Sequence, residues 1–77
     1  MTSYQTLSAF IKSKRKQLKI TQPELAYKAG VGLRFVREME KGKTSLRMDK
    51  VNQVLLLFGM ELGPVPLNRK KLTDEKS

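Results

Sequence analysis

The chain has 77 residues and a mass of 8.8 kDa, which allows one small domain. It contains no Cys and no His, so disulfides, zinc–thiolate sites and imidazole acid–base chemistry are excluded. Sixteen Lys and Arg against seven Asp and Glu give a net charge of +9, which points to a polyanionic partner: nucleic acid, an anionic membrane or an acidic protein.

The first predicted element is a helix over residues 6–18. Leu7, Phe10, Ile11 and Leu18 recur on one face at 100° per residue, with Arg15 at the edge of that stripe. Lys19-Ile20 forms a short connection. Thr21-Gln22-Pro23-Glu24 then marks a helix start, because Thr21 can cap and Glu24 completes a capping box. Pro23 is harmless in the first turn, where its missing N–H has no partner to lose. This second helix carries Leu25, Ala26 and Ala29 and stops at Gly30. Gly30-Val31-Gly32 reads as a tight turn.

A third helix is expected over about 33–41, ending at Gly42. On its wheel Val36 and Met39 face inward, whereas Arg34, Arg37 and Lys41 share an outward sector of about 60°. A polar loop over 42–46 leads to a fourth helix, about 47–58. Its main apolar stripe is Met48, Val51, Val54, Leu55 and Phe58; Leu56 and Leu57 lie outside that stripe, and Gly59 ends the helix. Residues 60–66 hold spaced apolar residues, glycine and two prolines, and read as extended, a possible edge or dimer strand. The fold class is therefore all-α: four helices and a short extended C-terminal segment. The expected organisation is one domain over 1–66 and a basic, flexible tail over 67–77, which lacks an apolar period.

Charge is unevenly spread. Residues 1–30 carry a net +5 and residues 46–66 a net 0, so a polyanion-facing half precedes a self-facing one. No run approaches the ~20 apolar residues of a membrane span. Residues 1–10 lack the basic start and long apolar run of a signal peptide, so a cytoplasmic, nucleoid-associated protein is expected. Neither metal nor cofactor is expected. Glu38 and Glu40 fall on different helix faces, and no acidic pair has metal or acid–base spacing, which argues against an enzyme.

Two short helices joined by a glycine turn, the second displaying bases outward, describe a helix-turn-helix. Ile20-Thr21-Gln22, Glu24-Leu25-Ala26, Ala29-Gly30-Val31, Val36, Glu40 and Gly42-Lys43 resemble the lambda-repressor-like, or Xre, family over roughly residues 7–58. Residues 30–35, Gly-Val-Gly-Leu-Arg-Phe, are further similar to the turn and recognition helix of short HipB-like antitoxins.

The resemblance implies a dimeric repressor of double-stranded DNA, with residues 33–41 as the helix in the major groove. Leu33, Arg34 and Arg37 match positions that reach base edges, and an Arg can bridge guanine O6 and N7. Leu33 suits a thymine methyl. Phe35 departs from the small polar residue common there; packing is favoured over contact with a thymine methyl or sugar. Gln22 matches a phosphate contact that also braces the recognition helix. Thr21 either does the same or serves only as a cap. Lys41, Lys43 and Thr44 match a loop that grips the backbone. Arg15 and Glu40 match an internal salt bridge between helix 1 and the recognition helix.

A two-fold dimer reading an inverted repeat is implied, and Leu56, Leu57, Met60, Leu62 and Val65 are the candidates for its surface. Ordinary core filling is the competing reading, evenly so for Leu56. The HipB-like resemblance further implies an antitoxin that represses its own operon and binds a HipA-like serine/threonine kinase toxin. A phage-type or free-standing regulator, or a non-specific basic nucleic-acid-binding protein, stands beside it. A basic amphipathic peptide on a membrane surface is the weakest of the binding classes, because capping box, glycine stops and helix count all specify a globular fold.

Overall fold

The computed structural model describes residues 6–66. Four helices follow one another: α1 (Leu7–Gln17), α2 (Gln22–Ala29), α3 (Leu33–Glu40) and α4 (Met48–Leu57). Each expected helix that ran longer is trimmed by a residue at its ends. Thr6, Leu18, Lys41, Arg47 and Phe58 are caps, only half inside the hydrogen-bonded ladder. The basic tail expected over 67–77 lies outside the described residues.

The starts of α1 and α2 are chemically specified. The Ala9 N–H donates to the Thr6 hydroxyl at 3.2 Å. At α2 both halves of the capping box form: the Glu24 N–H donates to Thr21 Oγ1 at 3.2 Å, and the Thr21 N–H donates to Glu24 Oε1 at 2.7 Å. The Glu24 carboxyl lies below its ordinary range, chiefly because of that backbone bond.

All four helices end alike. Just past each helix an N–H reaches a carbonyl five residues back: Ile20 to Arg15 (3.3 Å), Val31 to Ala26 (3.0 Å), Lys43 to Glu38 (3.1 Å) and Met60 to Leu55 (2.9 Å). This is the Schellman arrangement, which needs a left-handed residue just before that N–H. Gly30, Gly42 and Gly59 supply it at φ 74°, 91° and 73°. After α1 the same place is held by Lys19 at φ 59°, a conformation that costs a residue with a Cβ about 1 kcal/mol.

The core is small. Ile11 of α1, Leu25 and Ala26 of α2, Val36 and Met39 of α3, and Val51, Val54 and Leu55 of α4 are buried together. Full burial of an Ile, Leu, Val or Met side chain is worth about 1.5–3 kcal/mol, so each of these is a large part of a marginal total. α3 packs against both α1 and α2, and α2 also packs against α4. The recognition-helix candidate is thereby held from two sides. Ile20, Leu33, Phe35 and Phe58 pack partly buried at the core margin.

Two apolar positions assigned to the core by periodicity are exposed instead: Leu18 (52%) and Met48 (70%). Leu18 is a cap residue beyond the last turn of α1. Met48 is the first residue of α4, at the outer end of the stripe that Val51, Val54 and Leu55 carry into the core. Beyond α4 the chain turns back along it. Met60 donates to the Leu55 carbonyl at 2.9 Å and Leu62 donates to Asn52 Oδ1 at 2.8 Å. Residues 60–66 have no regular structure, and no strand occurs among the described residues.

Candidate nucleic-acid interface

The outward face of α3 is built by its inward face. Val36 and Met39 are fully buried, so rotation of the helix about its axis would cost both. That fixes Arg34, Arg37 and Lys41 on the solvent side, all exposed. Arg37 and Lys41 form no ion pair among the described residues.

Beneath this surface lies a charged brace. Arg15 Nε donates to Glu40 Oε2 at 2.7 Å and its Nη2 donates to Oε1 at 3.1 Å, a two-pronged pair from α1 to α3. Arg15 Nη1 donates to the Ile20 carbonyl at 3.0 Å. Gln22 Nε2 donates to Glu40 Oε1 at 3.1 Å, which ties the start of α2 into the same knot. The Glu40 side chain is only 2% exposed and that of Arg15 15%. Burial alone pushes the Glu40 carboxyl up; hydrogen bonds from Arg15 and Gln22, with the nearby Arg15 and Lys12 charges, outweigh it and hold the carboxyl below its ordinary range. No buried side-chain polar atom is left without a partner among the described residues.

The other sequence-derived candidates fall in three groups. Leu33 is half-buried against the core and Arg34 projects into solvent at the start of α3. Phe35 packs on the core margin, as favoured for it. Thr21 is occupied as a cap, while Gln22 spends one N–H on Glu40. Lys41 caps α3, and Lys43 and Thr44 lie exposed in the loop that follows. The third group is apart from these. Leu56, Leu57, Met60, Leu62 and Val65 are exposed on α4 and the segment after it.

Two features escaped the sequence reading. Ser8, Lys12, Ser13, Lys16 and Gln17 line an open groove of about 670 Å³ that ends at Glu40, so part of the basic face of α1 borders the brace. The spacing of Lys12 and Lys16 placed them on one face but not beside α3. The second is Glu38. It lies between Arg34 and Lys43, 3.3 Å from Arg34 Nε and 3.4 Å from Lys43 Nζ. The i, i+4 spacing of Arg34 and Glu38 was the available signal.

Two helices set by a glycine turn, with a braced second helix presenting bases to solvent, define a helix-turn-helix domain. The helix-turn-helix family profile matches residues 11–64. The chain is 41% identical over 66 residues to y4mF, an uncharacterised HTH-type transcriptional regulator of Sinorhizobium fredii (strain NBRC 101917 / NGR234), covering 84% of this chain and 87% of that protein. No solved structure matches with significance. The chain belongs to the helix-turn-helix family, in its lambda-repressor-like (Xre) branch, and is a transcriptional regulator of that type.

Proposed function

We propose that this chain is a sequence-specific repressor that binds double-stranded DNA as a homodimer. The observation that carries this reading is the α3 surface: exposed Arg34, Arg37 and Lys41 on a helix locked by buried Val36 and Met39 and by the Arg15–Glu40 brace. Arg34 and Arg37, with Leu33, read base edges in the major groove. Gln22, Lys41, Lys43, Thr44 and the Thr21 end of α2 grip phosphates and fix register without carrying sequence information. One such subunit binds weakly. Two subunits on half-sites about 34 Å apart supply affinity and the preference for an inverted repeat.

Exposed Leu56, Leu57, Met60, Leu62 and Val65 form the dimer surface in this reading. Met48 adds to it, since it is exposed and lines the same apolar groove as Leu62. The resemblance of residues 30–35 to HipB-like antitoxins supports the narrower reading: an autorepressing antitoxin, nucleoid-associated, with a HipA-like kinase toxin as partner. A pull-down of a co-expressed HipA-like kinase tests that partner.

The test of the main reading is selection of binding sites from a random duplex pool at physiological salt, with Arg34→Ala run in parallel. Enrichment of an inverted repeat by the native chain, blurred by the variant, is expected. Tight but salt-labile binding to every duplex, without enrichment, would overturn sequence-specific readout.

A further inference from the structure

One acid stands in the middle of a surface otherwise built to meet phosphate. Glu38 is on the outward side of α3, and its two oxygens hold two different cations: Oε2 accepts from Arg34 Nε at 3.3 Å, and Oε1 accepts from Lys43 Nζ at 3.4 Å. Helix stability does not account for its presence. It sits in the last turn of α3, where a negative charge opposes the helix dipole. The order Arg34 then Glu38 is also the weaker orientation for an i, i+4 pair. Arg34 remains 91% exposed despite the contact, and its two terminal nitrogens make no hydrogen bond among the described residues.

We propose that Glu38 is a positioning residue for base readout: one carboxylate holds Arg34 by Nε and competes with phosphate for Lys43, so that Lys43 grips the backbone only where the base contacts hold the subunit in register. This rests on the DNA-binding reading above. The bond on Nε leaves Nη1 and Nη2, the end that spans guanine O6 and N7, available to DNA with the stem already restrained. Where guanine lies beneath Arg34, the ion pair and the base contact coexist. Where it does not, the carboxylate faces acceptors and phosphates unrewarded, and binding weakens. Specificity is thus raised by disfavouring the wrong site as well as by favouring the right one. The link to Lys43 couples the base-reading end of α3 to the loop that grips the backbone.

The test uses the full chain and E38Q, with fluorescence anisotropy across a salt series. Three duplexes are compared: the site selected by the native chain, the same site with its guanines replaced, and a scrambled sequence. On the scrambled duplex, where Glu38 otherwise competes for it, Lys43 gains about one phosphate contact in E38Q, with a salt slope steeper by about 0.9; at about 0.15 M salt this strengthens scrambled-site binding roughly five-fold. Affinity for the selected site gains less, so E38Q narrows both the selected-to-scrambled and the guanine-to-replaced ratios. Melting of E38Q at the native temperature shows that the fold is unchanged. Unaltered ratios and slope in E38Q, with a native chain that selects its site, refute the proposal alone. A native chain that binds all three duplexes alike refutes it together with the base-readout reading.

Discussion

Removal of Arg15 tests the brace most directly. Arg15→Ala deletes three hydrogen bonds, two to Glu40 and one to the Ile20 carbonyl, and leaves the Glu40 carboxylate with only Gln22. Breaking a buried pair by losing one partner costs about 3–5 kcal/mol; since Arg15 is 15% exposed, the lower end applies. A 77-residue chain has a stability of about 4–12 kcal/mol, so the loss is a large share of the whole. It corresponds to a fall in Tm of roughly 12 °C or more, read by circular dichroism.

The pH dependence separates this mechanism from a packing loss. In the native chain Glu40 titrates below its ordinary 4.5, so its contribution is fully present above that pH and is lost as pH falls through the folded value. Without Arg15 the burial that raises its pKa is no longer outweighed. The variant is then weakest at neutral pH and regains stability as Glu40 takes up a proton. The stability gap between native and variant therefore narrows as pH falls from 7 toward 4. A gap that is small at neutral pH, or that stays constant on acidification, would refute the reasoning. Pairing Arg15→Met with Glu40→Leu is expected to recover most of the stability, because it removes the buried charge along with its partner.

Lys19→Gly is expected to leave stability unchanged or raise it by up to about 1 kcal/mol, since Lys19 already adopts the left-handed conformation. Gly59→Ala, at φ 73° with open space around it, is expected to lose about 1 kcal/mol from backbone strain alone; equal effects of the two substitutions in urea titration would contradict the assignment. Thr21→Ala removes the capping box and is expected to cost about 1 kcal/mol of stability with little change in the helix count. An unchanged urea midpoint would show that the cap contributes nothing. Leu56→Glu, at a position 73% exposed, is expected to keep the native Tm of the folded subunit while sedimentation shows monomer and operator binding weakens. A variant that still sediments as a dimer would move the interface elsewhere.

The chain's local chemistry is legible residue by residue. Thr21 and Glu24 announced a capping box, three glycines marked helix ends, and the alternation of Val36 and Met39 with Arg34, Arg37 and Lys41 gave α3 its two faces. These are short-range effects: caps, left-handed turns and a 3.6-residue period depend on neighbours within one turn. The helix end at Lys19 was less plain, because a lysine there carries no signal and only the Schellman bonds reveal its backbone.

Position relative to other elements is what periodicity does not carry. Arg15 and Glu40 are 25 residues apart, and their bond exists because α3 packs on α1. The wheel placed Met48 with the core stripe of α4, yet at the first residue of that helix Met48 is 70% exposed while Val51, Val54 and Leu55 are buried. Glu38 reads as an ordinary surface acid in the sequence, and its second cation, Lys43, reaches it only because the chain turns back at Gly42. The sequence by itself determined the helices, their caps, the all-α class and the excess of positive charge, because those follow from local bonding and composition. Tertiary structure alone decided that Gln22 joins Arg15 on Glu40, that Lys43 reaches Glu38 and which apolar residues remain uncovered, because each depends on how separate elements are packed against one another.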